Sequence, residues 1–117
     1  MNASGCKELF FLLDSNGAII AYQEKEQSWA GALAFSSEEL AWKFLEMSRL
    51  DAAEIVAVDA DDAENLGELV VMLKRRPIRY LLLDLDYQSG KCGQVDFEHN
   101  GLGTVRERQF AAAHHHA

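Results

Sequence analysis

Proline occurs once, cysteine twice, and lysine and arginine together eleven times in 117 residues. Each scarcity excludes something. The single Pro77 leaves no proline-rich linker or polyproline segment. Cys6 and Cys92 are not part of a Cys-x-x-Cys pair and are too few for a disulfide framework, so the expectation is a reduced, cytoplasmic protein with free thiols. No apolar run approaches the ~20 residues of a membrane span. The start, "MNASGCKELF", lacks the charged segment and long apolar stretch of a signal peptide. Nineteen acids against eleven bases give a net charge of −8, which argues against nucleic acid and anionic membranes as partners, because both need clustered cations. Also missing are the Gly-x-Ser-x-Gly, His-Glu-x-x-His and phosphate-loop signatures.

What is present is a globular composition, 49% hydrophobic and 26% charged. Residues 1–110 read as a single compact domain, and 111–117, "AAAHHHA", as an appended tail whose histidines carry no metal argument. That leaves His99 as the histidine of interest. "ELFFLLDSNGAIIAYQ" has two apolar runs around Asn16-Gly17, the turn pair of a β-hairpin. "ALAF" (32–35) is a short strand. "SSEELAWKFLEMSRL" is a helix, with Ser36 and Glu39 at capping-box spacing. "AEIVAVD" (53–59) is an apolar strand of the kind buried on both faces. "DDAENLGELVVMLKRRP" is a second helix, capped by Asp61 and stopped by Pro77. "IRYLLLDLD" and "CGQVDFE" are strands joined by a turn, and "HNGLGTVRERQF" is a glycine-rich turn with a weak last strand. The expected fold is α+β: a mixed, largely antiparallel sheet of about five to six strands with two helices, in the order β-β-β-α-β-α-β-β. Phe10–Leu13, Ile55–Val58 and Tyr80–Leu83 are expected at the sheet centre.

Asp84 and Asp86 would share a strand face. With Asp14 at the end of the first strand, they are the candidate ligands for Mg²⁺ or Ca²⁺. The opposing expectation is that these acids end strands and cap turns. "DSNG" resembles the opening of a calcium loop but lacks the twelfth-position glutamate, so it reads as a turn. Gly101 and Gly103 open no helix and so do not form a phosphate cradle. "KRRPIR" contains Arg75, Arg76 and Arg79, which would grip an acidic partner or complement a helix terminus. Cys92 and His99 are the only Cys–His pair on offer for nucleophilic chemistry. Trp42 falls off the apolar stripe of the first helix, and Trp29 sits in a polar loop; both are candidates for a partner surface.

The stretch "ALAFSSEELAWKFL", followed by a strand, a helix and "YLLLDLDYQSG", resembles the N-terminal domain of SseB-like proteins. Phe35, Ser36, Ser37 and Asp84 to Gly90 carry the likeness, and Leu85 replaces the family's proline after the late-strand aspartate. The resemblance implies an α/β fold and an interaction role, and it carries over no catalytic residue. In size and lack of motifs the chain also resembles the small orphan proteins of bacterial mobile gene cassettes. The expected function is a non-enzymatic binding or protein-interaction module without a cofactor. The alternative is a metal-dependent hydrolase or small-ligand enzyme using Asp14, Asp84 and Asp86. Two helices are few for a sheet apolar on both faces. A homodimer or a tetramer of dimers, buried through a bare sheet face or the Trp42 side, is therefore expected.

Overall fold

The computed structural model describes residues 8–23, 30–52, 54–99 and 101–110. Cys6 and Trp29 lie outside the described residues. The elements are β1 (Glu8–Leu13), β2 (Ala21–Tyr22), β3 (Ala30–Phe35), α1 (Glu38–Ser48), β4 (Glu54–Asp59), α2 (Ala63–Arg75), β5 (Ile78–Leu83), β6 (Lys91–Glu98) and β7 (Gly101–Gln109). They form the expected α+β arrangement with one mixed, mostly antiparallel sheet. Its order is β4-β1-β3-β5-β6-β7, with β2 also on β3. The order exceeds the expected one by β7, a full nine-residue strand where a glycine-rich turn and a weak last strand were expected.

β3 and β5 are parallel, and β4 runs the same way, since both β3 and β4 are antiparallel to β1. The crossover through α1 moves outward past β1, and the crossover through α2 moves back to β5. Two right-handed crossovers in opposite directions place their helices on opposite faces. The packing agrees. Leu73 of α2 joins Leu9, Phe11, Ala32, Ala34 and Leu81 on one face. Ala41 and Phe44 of α1 join Leu12, Leu33, Phe35 and Leu82 on the other. Alternating residues of β1 and β3 therefore feed two cores, so these strands read as continuous apolar runs.

Three expectations need correction. The segment at 54–59 is an edge strand, not a central one, and its residues are only partly buried or exposed. The fully buried centre strand is β3, six buried residues in a row. Small residues make this possible: a Cβ on Gly31 would lie 2.4 Å from Cε1 of Tyr80, the aromatic paired with it across the parallel ladder. Finally, the first two strands do not form a hairpin. Both are antiparallel to β3 and so run in the same direction, and the turn at Asp14–Gly17 closes with a single Leu13–Ile19 bridge. The Asn-Gly pair does mark a tight turn, but the chain after it pairs with β3 instead of returning along β1.

Both helix caps lie one residue later than expected. Ser37 caps α1 by accepting the Leu40 N–H, and Asp62 caps α2 by accepting the Glu64 and Asn65 N–H groups. The reason for the first shift lies in the site described next.

Candidate functional site

Asp84 follows the last residue of β5 and turns into the left-handed region, with φ 54°. Its N–H still extends the parallel ladder by donating to the Ala34 carbonyl at 2.9 Å. Its carboxylate then accepts two bonds from one residue across the strand ends: Ser36 N–H to Oδ1 and Ser36 Oγ–H to Oδ2, each 2.7 Å. Ser36 is thus committed to Asp84, which leaves Ser37 to cap α1. The pair fastens β5 to the junction between β3 and α1. Asp86 is committed locally. It accepts from Gln88 N–H at 3.1 Å and Ser89 Oγ–H at 3.0 Å inside the β5–β6 turn. These bonds, with Lys43 nearby, hold its carboxyl below the usual range. Because Asp84 lies past the strand and in a different backbone conformation, the two acids do not share a strand face as alternation would have it.

Asp14 does not join them. It ends β1, antiparallel to β3, and so sits at the opposite end of the sheet from Asp84. There its Oδ1 accepts the N–H groups of Asn16 and Ala18, at 2.8 and 3.0 Å. The three-carboxylate arrangement therefore does not form, and among the described residues no group of three or more His, Cys, Asp or Glu is gathered to hold a metal ion.

What Asp84 and Asp86 do border is an apolar notch. It lies at the carboxyl ends of β3 and β5, the end at which open α/β sheets receive ligands. Buried Phe35 and Phe44 are joined by Leu40, Met47, Leu85 and Tyr87, with Lys43 and the two acids completing the lining. Its volume is about 130 Å³. That is well below the several hundred Å³ of a drug-sized site and suits a single small apolar group. Tyr87 stands edge-on to Phe44, ring centres 6.0 Å apart, and forms one wall. Sequence reasoning singled out the acids here and missed the apolar wall. Leu40 and Met47 have the helical spacing of core residues relative to Ala41 and Phe44, yet they remain 38% and 36% exposed.

The other candidates separate. Trp42 is 57% exposed, donates its indole N–H to Glu38 at 3.2 Å, and does not line the notch. The basic cluster acts on backbone carbonyls. Lys74 reaches His99 O at 2.7 Å, Arg76 reaches Ile19 O at 2.7 Å, and Arg79 reaches Lys74 O at 3.4 Å. Arg75 lines a shallow depression on the outer side of α2 with Glu64 and Glu68. Cys92 is the second residue of β6 and His99 follows its end, so about seven strand rises, roughly 23 Å, separate them. Burial pushes the Cys92 thiol up to about 11. That disfavours the thiolate and with it the dyad.

Beyond α1, the same sheet face carries a polar ladder instead of apolar side chains. Arg106 pairs with Asp96 at 2.6 Å, Gln94 donates to Asp96 at 2.8 Å, and Arg108 donates to Gln94. The Arg108 guanidinium also lies 4.3 Å from the centre of the Phe110 ring. Comparison with family models, with curated proteins and with solved structures returned no match.

Proposed function

We propose that this protein is a non-enzymatic interaction module whose contact surface is the notch between α1 and the β5–β6 turn. One observation carries the reading: a small, largely apolar notch sits where its bordering carboxylates are already taken up by Ser36, Gln88 and Ser89, while Leu40 and Met47 of its lining stay exposed. Large apolar side chains left at a surface around a fitted hollow are the usual anatomy of an anchor pocket for a partner's side chain. Lys43 at the rim supplies the polar contact that orients such an anchor. The acidic surface and the free, protonated Cys92 suit a reducing cytoplasmic setting.

The test uses a mimic of a peptide anchor, N-acetyl-L-leucinamide, titrated to about 100 mM, because one buried leucine side chain contributes only about 1.5–3 kcal/mol. Methyl signals of Leu40, Leu85 and Met47 are expected to shift together in nuclear magnetic resonance spectra, and Met47→Glu is expected to remove the effect. Shifts confined to other parts of the chain, or none, would discard the notch as a contact site.

A further inference from the structure

We propose that the notch flank of α1 is a self-association surface, occupied by the same flank of a second copy packed antiparallel about a two-fold axis. This rests on the reading of the notch as a contact site and names its partner. The first ground is spacing. Ala41 and Phe44 turn into the core. Leu40, Lys43 and Met47 form a second row at steps of three and four, and Leu50 follows three residues on, just past the left-handed cap at Arg49. Steps of three and four define the seam of a helix pair. Its apolar members are 38%, 36% and 40% exposed, so the row is unoccupied among the described residues.

The second ground is charge. In an antiparallel two-fold pair a helix flank meets its own copy. Setting Met47 against Lys43 of the second copy brings Leu40 opposite Leu50 and puts Glu46 beside the other copy's Lys43. The single cation of the row then meets an acid, twice by symmetry. A parallel pairing would set Lys43 against Lys43. The third ground is shape: Met47 of each copy comes over the other's notch, and an unbranched thioether adapts to such a hollow.

Two other self-contacts lack this fit. The sheet beyond α1 carries the hydrogen-bonded ladder of Gln94, Asp96, Arg106 and Arg108, so that part of the face is polar. Pairing the β4 edge with its copy over its full length would set Glu54 opposite Asp59 at both ends, and like charges facing across strands repel.

Light scattering coupled to size exclusion, at tens of micromolar chain, should give twice the 13.1 kDa of one chain. Met47→Glu should give the single-chain mass with the circular dichroism of the folded protein. Lys43→Glu, which turns two attractions into two repulsions, should raise the dissociation constant by about tenfold. Adding Glu46→Lys should restore it, because the pairs re-form with reversed sign. Trp42→Ala, on the other flank, should leave the mass unchanged. A mass of one chain at every concentration would overturn the proposal. So would a dimer indifferent to Met47→Glu, a charge swap without rescue, or a mass that climbs without limit. In that event the shifts caused by N-acetyl-L-leucinamide still report separately on the notch as a site for another protein.

Discussion

At the scale of single residues, the same side chain serves or fails depending on what its backbone needs. Asp14, Asp84 and Asp86 resemble metal ligands only while they are counted by spacing. Each is instead used by nearby donors: Asp14 by two turn amides, Asp84 by Ser36, Asp86 by Gln88 and Ser89. Cys92 and Tyr80 illustrate the reverse case, in which burial favours the neutral form. Burial is the main cause for both, and Asp96 adds to it for Tyr80. Both bind their protons more tightly folded than unfolded. The Cys92 contribution is complete below the thiol's ordinary 9.0 and is lost as pH rises through about 11, and the Tyr80 contribution is lost above the phenol's ordinary 10.0. Urea midpoints measured between pH 8 and 11 should fall across that window, and Cys92→Ala should make the fall shallower. A Cys92→Ala protein with the same alkaline profile would show that the thiol takes no part.

At the scale of elements, the sequence disclosed periodicity and caps well but pairing poorly. Both helices were legible from their apolar spacing and from acids at their starts, and they miss by a single residue at the N-cap. For α1 that residue is Ser36, which a partner 48 positions away recruits. No local rule contains such a contact. The edge position of β4 was hidden for a similar reason: "EIVAV" carries the composition of a central strand, while strand order is decided by crossover geometry. The Asn-Gly turn was legible, but the destination of the chain after it was not. The Ser36–Asp84 tie now carries a prediction of its own. It joins β5 to the start of α1, so Asp84→Ala should cost about 2–3 kcal/mol, from two lost charge-assisted bonds and an alanine held at positive φ. Asp84→Asn, which tolerates that backbone and keeps one acceptor, should cost about 1 kcal/mol. Urea denaturation measures both. If Asp84→Ala matches the wild type, the carboxylate does not hold the strand ends together.

At the scale of the whole molecule, counting faces gives a different answer from the one that composition suggests. Two helices do cover both faces, one each, and the half-face that α1 does not reach is polar. The large apolar side chains left exposed are Leu40, Trp42, Met47 and Leu50 on or just after α1, Val71 and Met72 on α2, and Tyr22. The pairing of an apolar hollow with spent carboxylates was only half legible. "LDLDY" announced that something happens at this strand end and supplied Leu85 and Tyr87, but the rest of the wall is Leu40, Phe44 and Met47, brought there by the helix that follows β3. No helix among the described residues is long and apolar enough to cross a membrane.

The central claim is that this strand end binds through its apolar wall and not through its acids. The most direct measurement is one amide spectrum titrated twice, once with N-acetyl-L-leucinamide and once with Mg²⁺. The signals of Leu85, Asp86 and Tyr87 should move with the leucinamide and stay in place with the ion. Movement with Mg²⁺ that Asp84→Asn abolishes, together with indifference to the leucinamide, would contradict the account.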